Sequence, residues 1–313
     1  MTSLPHPNER PDFTGNIPPI LTPLADYDRL DEGGYERLLE HLIRGGMDGI
    51  FLLGSSSETV SLSHRLRVEL IQKGCRHIAH RVPVLVGITD NSVVETVQLA
   101  HEAAEAGADG LVLTTPFYFP VSQAELKVYV RAVLKETNLP LMLYNMPAMT
   151  KLWYAFETVA ELAQHEQIVG IKDSSQNMKY FRQLTTLRSV RPDWSFLIGA
   201  EAHLAESLRH GGSGGVNMGP HLFPRLFTEL LKAHRAGDTQ RVDEYQIKID
   251  QIAEVYRVAE GPVSLLSLIS TTKTALSILG ICNDLMASPH LTSSPAQRGQ
   301  IESIVTRLKS ELG

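Results

Sequence analysis

The sequence predicts an α/β fold: a (β/α)8 TIM barrel with a C-terminal three-helix extension. Two observations carry that expectation. Eight short apolar runs alternate with longer amphipathic stretches, and the strand signal stops after Gly237. Short apolar runs separated by helices read as βαβ units of a parallel sheet buried on both faces. Eight such units in succession fit a closed barrel better than a doubly wound open sheet.

The first residues, Met1-Thr2-Ser3-Leu4-Pro5-His6-Pro7, are polar and proline-rich, so 1–14 is expected as a loosely held arm. The catalytic barrel is expected over 15–237. Its strands should lie at 17–21, 49–53, 82–88, 110–113, 141–144, 168–171, 196–198 and 214–218. Between them, helices are expected at 36–44, 63–79, 92–106, 123–135, 156–163 and 178–187. Ser92 before Val93 and Gly107 after Ala106 supply start and stop signals for one of them. The remainder, 238–313, reads as three helices at 239–260, 262–279 and 295–312, packed on the barrel or on a neighbouring subunit.

Composition narrows the class. A chain of 313 residues with 43% hydrophobic and 20% charged residues can bury a large core. Its net charge of −6, with no basic stripe, argues against a nucleic-acid partner. No run of about 18 apolar residues suggests a membrane span, and the first residues lack a secretory signal pattern. Cys75 and Cys282 stand far apart, both inside helical patterns, so no disulfide framework is expected and a cytoplasmic location is the simpler expectation.

The run 168–171 ends directly in Lys172-Asp173. An ammonium at the end of a buried strand is desolvated, which favours the neutral amine. A neutral amine attacks a ketone at neutral pH, as Schiff-base catalysis requires. An isolated lysine after an apolar run is more often a snorkelling surface residue, but other strand ends supply company. They are Gly54-Ser55-Ser56-Ser57-Glu58, Thr114-Thr115-Pro116-Phe117-Tyr118, Tyr144-Asn145-Met146-Pro147 and Gly199-Ala200-Glu201. In a barrel all of these project from one end. A lysine, two tyrosines and a hydroxyl-rich turn would then meet in one pocket, with an imine as electron sink and phenol and hydroxyl as acid and base.

At these residues the chain resembles the dihydrodipicolinate synthase / N-acetylneuraminate lyase family, the pyruvate-dependent class I aldolases. The resemblance runs from Ile17 through the C-terminal helices. It rests on Gly170-Ile171-Lys172-Asp173, Tyr144-Asn145-x-Pro147 and the turn 54–58, with Thr115-Pro116-Phe117-Tyr118 between them. It implies that Lys172 forms an imine with pyruvate or another 2-oxo acid, and that Tyr144 relays protons. It implies that Ser55 and Ser56 hold the substrate carboxylate, which needs several donors when buried. Tyr118 resembles the tyrosine that members lend to a neighbouring site, which implies a homodimer or homotetramer. Ser57, Met149, Ser174, Gly199, Glu201, Asn217 and Met218 are expected around the substrate, and Glu58 is expected to fix the turn. No cofactor and no metal are expected.

Departures from the family pattern bear on the substrate. The branch making dihydrodipicolinate carries an arginine two residues after the proline of Tyr-Asn-x-Pro; this chain has Met149, which offers no donor to aspartate semialdehyde. The sialic acid lyase branch holds a polyol after strands seven and eight. There Glu201 stands for one acid, while Ala202 and Met218 replace polar groups. Ser57 occupies a turn position that is often glycine. A 2-oxo-3-deoxy sugar acid aldolase or dehydratase is therefore the leading expectation, with dihydrodipicolinate synthase and N-acetylneuraminate lyase as alternatives. A non-catalytic 2-oxo acid sensor would keep Lys172 and Ser55 without turnover, and a metal-dependent aldolase would need His and acid ligands at the strand ends. His64, Asn91 and Glu95 match lysine-feedback positions of some synthases, but Phe117 departs from that pattern, and a subunit contact is the plainer reading. Cys75, His77 and His80 do not share one helix face, so they make a poor metal site. The glycine-rich stretch 210–215 precedes a strand, not a helix, and lacks a dinucleotide-binding context.

Overall fold

The computed structural model describes residues 13–259 and 264–312. Its strands are β1 (Gly15–Asn16), β2 (Leu24–Asp26), β3 (Arg29–Leu30), β4 (Ile50–Leu52), β5 (Val84–Gly87), β6 (Gly110–Thr114), β7 (Leu141–Asn145), β8 (Ile168–Asp173), β9 (Ser195–Ile198) and β10 (Gly214–Gly215). Eight of them form one parallel sheet in the order β1-β10-β9-β8-β7-β6-β5-β4, and each of β5–β9 lies between its sequence neighbours. The segment after β1 returns to β4. Pro19 pairs in parallel with Phe51, the Ile20 amide donates to the Phe51 carbonyl at 2.8 Å, and the Phe51 amide donates to the Pro18 carbonyl at 3.0 Å. The sheet is therefore curled, with both ends of the strand order in contact. The antiparallel hairpin of β2 and β3 was not among the expected elements.

The strands bury both faces, and side chains alternate between them. Leu85, Val112, Met142, Tyr144, Val169 and Leu197 pack inside the curled sheet with Phe51 and Ile17. Val84, Val86, Leu111, Leu113, Leu141 and Leu143 face outward into the larger core under the helices. Phe13 joins the inner cluster with 2% of its surface exposed, so the end of the expected arm is anchored, while residues 1–12 lie outside the described part.

Several helices start at side-chain caps. Ser63, Ser92 and Ser122 each accept a backbone N–H from three residues on. The first helix, Glu32–Arg44, begins four residues before its expected start, capped by Asp31. A Cβ on Gly34 would lie 2.2 Å from the Asp31 carboxylate, which explains a glycine in the first turn. Beyond Gly237 the described helices are Thr239–Gln251, Ala253–Tyr256, Leu265–Ile278 and Pro295–Leu312. The first expected extension helix is thus divided at Ile252, and its end and the start of the next fall at 260–263, outside the described residues. Ile249, Val255, Ile269, Leu276, Ile301 and Leu308 join these helices to the main core. Cys75 lies in the helix His64–Ile78, whereas Cys282 lies beyond the helix Leu265–Ile278; both are free and buried. No helix among the described residues is long and apolar enough to cross a membrane.

Candidate active site

Strand β8 carries the motif lysine into the interior. Gly170 permits this close packing, since a Cβ there would stand 2.2 Å from the Ser195 carbonyl oxygen of β9. Lys172 is registered against Tyr144 of β7, and Asp173 against Asn145. Registered residues of parallel strands face the same side, so Lys172 and Tyr144 share one row. Asn145 and Asp173, both fully buried, share the next. That second row is closed by its own bonds: Asn145 Nδ2 donates to Asp173 Oδ1 at 2.8 Å, and Ser175 Oγ donates to Asp173 Oδ2 at 2.8 Å.

Lys172 is 4% exposed. Its Nζ stands 4.0 Å from the centroid of the Tyr144 ring and 5.0 Å from that of Phe51. Burial lowers its pKa below the ordinary lysine value, with the Tyr144 hydroxyl opposing that shift. For Tyr144 burial raises the phenol, but the Lys172 charge and bonds from Ser174 and Ser55 outweigh it and leave a net lowering.

The turn after β4 brings the hydroxyls. Ser55–Ser57 form one 3-10 turn opening at Gly54, and the first amides of such a turn have no acceptor within it. Ser55 Oγ lies 3.4 Å from Tyr144 Oη, and Ser174 Oγ lies 3.5 Å from the same oxygen. Ser56 is buried beside them in sequence. Ser57 behaves differently from its neighbours. Its Oγ donates to the Ile20 carbonyl at 2.6 Å, and its own carbonyl accepts from Thr22 Oγ1 at 2.8 Å, so its side chain serves the wall behind the turn. Glu58 pairs with Lys273 and accepts from the Ala287 amide, both away from the row of Lys172 and Tyr144.

A cavity of about 400 Å³ opens over this row. Ser55, Tyr144, Met149 and Thr114 line it, together with residues not singled out from sequence, among them Thr89, Ser61 and His290. Thr114 ends β6 in register with Tyr144. Ser61 and His290 meet at 3.0 Å across 229 residues of chain, a pairing that no local pattern announces. Lys172 is reached through Tyr144 and does not itself line the cavity wall.

Four of the residues expected around the substrate are turned elsewhere. The Glu201 carboxylate accepts from the Gly219 amide at 2.6 Å, and burial raises it to about 7 against the backbone bonding it receives. Asn217 Nδ2 donates to the Ile198 and Gly199 carbonyls at 3.2 and 3.1 Å. The Met218 sulfur accepts from Thr272 at 3.3 Å. Gly199 donates to the Asp173 carbonyl at 2.7 Å and abuts Ser174, where a Cβ would fall 1.9 Å from Oγ. None of these four lines the cavity. Tyr118 is 77% exposed and rests edge-on against Phe119. His64 and Glu95 pair at 3.3 Å, while Asn91 accepts from the Phe117 amide at 2.9 Å. His77 is held by Glu40, and no cluster of three potential metal ligands occurs among the described residues.

A desolvated lysine stacked on a tyrosine at the mouth of a parallel α/β sheet defines a class of protein: the lysine-dependent, class I lyases. Comparison with known proteins places the chain within that class. The model of the dihydrodipicolinate synthetase family matches residues 12–308, and the chain belongs to that family. YagE of Escherichia coli K12, whose name assigns it provisionally to 2-dehydro-3-deoxy-D-gluconate aldolase activity, is 36% identical over 79% of this chain and 82% of its own. The structure of YagE in complex with pyruvate superposes with a TM-score of 0.89 at 32% identity, covering 95% of this chain and 99% of YagE. A dihydrodipicolinate synthase from Bacteroides thetaiotaomicron gives 0.90 at 40% identity, covering 98% and 100%.

Proposed function

We propose that the protein is a Schiff-base aldolase on a closed (β/α)8 barrel that cleaves or forms 2-oxo-3-deoxy sugar acids, with pyruvate as the common half. The observation that carries this reading is the buried Lys172 amine 4.0 Å from the Tyr144 ring. The neutral amine adds to the C2 carbonyl, water leaves, and an imine forms. In the cleavage direction Tyr144 takes the proton of the C4 hydroxyl and the C3–C4 bond breaks. Its electrons move into the imine to give an enamine, and an aldehyde departs. Protonation at C3 and hydrolysis then release pyruvate and return the amine. Ser55 and Ser56 receive the carboxylate, and Ser55 and Ser174 orient the Tyr144 hydroxyl.

The cavity supports the choice of aldehyde. Its volume is at the low end for small-molecule sites and exceeds what pyruvate alone requires. Among the described residues no arginine or lysine lines it, and Met149 stands where an arginine would meet a second carboxylate. A neutral, hydroxylated tail suits such walls, with the Ser61–His290 pair as a polar contact. The identity to a dihydrodipicolinate synthase favours a second reading, condensation of pyruvate with aspartate semialdehyde, but Met149 supplies no partner for that substrate. In this proposal 15–237 is the catalytic barrel and 238–313 a helical extension, and the chain works as a cytoplasmic homodimer or homotetramer.

Borohydride reduction with pyruvate, followed by peptide mass mapping, tests the mechanism. The expected outcome is one reduced adduct on Lys172, absent from Lys172→Ala; an adduct on another residue excludes it. Pyruvate release from a panel of 2-oxo-3-deoxy acids then separates an enzyme from a sensor.

A further inference from the structure

The turn bearing Ser55 and Ser56 is held in a conformation its sequence does not favour. It is flanked by Leu53 at φ 54° and Glu58 at φ 57°, both left-handed and neither a glycine. Such residues persist only where their surroundings over-determine them. Local bonds supply part of the restraint: Thr59 Oγ1 donates to the Gly54 carbonyl at 3.0 Å, and Ser57 Oγ to Ile20 at 2.6 Å. The rest comes from the C-terminal extension. Lys273 Nζ donates to Glu58 Oε1 at 2.5 Å and to the Leu285 carbonyl at 2.8 Å, and the Ala287 amide donates to Glu58 Oε2 at 2.8 Å. Both charged side chains are 0% exposed. Both carboxylate oxygens of Glu58 are thus taken, so it is not free to meet substrate.

A buried ion pair is a costly way to gain stability, because desolvation offsets much of the attraction. Its geometric consequence here is specific. It fixes the residue immediately after the hydroxyl turn to a helix 215 residues away. We propose that Glu58 and Lys273 are positioning residues for 2-oxo acid binding, through which the extension holds Ser55 and Ser56 in place for the substrate carboxylate. This rests on the role given to those serines above.

The test compares pyruvate with acetone, which forms the same imine but has no carboxylate. Half-saturating concentrations for borohydride trapping at Lys172 are measured in the wild type and in Glu58→Gln/Lys273→Met. The double variant leaves no uncompensated buried charge, and its fold is checked by circular dichroism and Tm. The half-saturating pyruvate concentration should rise about ten-fold or more, while acetone stays within about two-fold and trapping at saturation is kept. Both ketones unchanged, or both weakened equally, overturns the proposal, because a general loosening of the structure would not select the carboxylate. Should the double variant not fold, Glu58→Gln alone is held to the same criteria. Failure of the underlying reading has its own signature: the wild type then traps neither ketone at Lys172.

Discussion

Burying the Lys172 amine costs the fold stability. In the unfolded chain it keeps the ordinary lysine pKa near 10.4, whereas burial lowers it in the fold. Below that unfolded value the unfolded chain binds the proton more readily, so this residue's contribution improves as pH rises towards it. Lys172→Met should therefore raise stability by about 0.5–2 kcal/mol at pH 7, an advantage that shrinks towards pH 10, while abolishing turnover. Urea unfolding at both pH values checks it, and a destabilised variant at pH 7 contradicts it. Tyr144→Phe keeps the edge-on packing against Phe51 and removes only the hydroxyl. Its kcat should fall by about 10²–10⁴ with pyruvate still trapped at Lys172; a fall in trapping alone would assign the tyrosine to imine formation instead. These two residues were legible in the sequence because each ends an apolar run. Glu201 also ends one, and its partners could not be read the same way.

The fate of Glu201 was decided between elements. Strand β9 and the 3-10 turn Glu201–His203 deliver its carboxylate to the Gly219 amide, near Tyr256 of the extension. Strand order and most helix spans follow from periodicity and caps, which are local. The contacts Glu201–Tyr256, Ser61–His290 and Glu58–Lys273 join segments that meet only after the sheet has curled, so no spacing rule reveals them. With its carboxyl raised to about 7 by burial against an unfolded value near 4.3, Glu201 favours the folded state when protonated. That contribution is lost as pH rises through about 7. Glu201→Gln, whose amide oxygen can still accept from Gly219, should flatten the decline and gain about 1–3 kcal/mol over the wild type at pH 8. Denaturation midpoints at pH 5.5 and 8 decide the matter: equal pH slopes in both chains would mean that the carboxyl ionises freely.

At the scale of the whole molecule, the tyrosine that the family resemblance implies is lent to a neighbouring site is one the single chain leaves exposed. Tyr118 is 77% exposed, beside Phe119 at 72% and Phe117 at 36%. Large apolar rings clustered on a surface mark a contact site, and the family resemblance implies that this contact lends Tyr118 to a neighbouring subunit's cavity. Two inactive chains can test this. Lys172→Ala retains Tyr118 but cannot form the imine; Tyr118→Phe retains the lysine but lacks the lent hydroxyl. In a mixed dimer the site built on the second chain borrows an intact tyrosine from the first. Equal mixing after dissociation and reassociation should then restore about a quarter of wild-type activity, since half the dimers are mixed and each has one complete site. Were Tyr118 to act within its own chain, no mixed dimer would contain a complete site. Activity would then stay at the level of the separate variants, and the basis for a shared site would be gone.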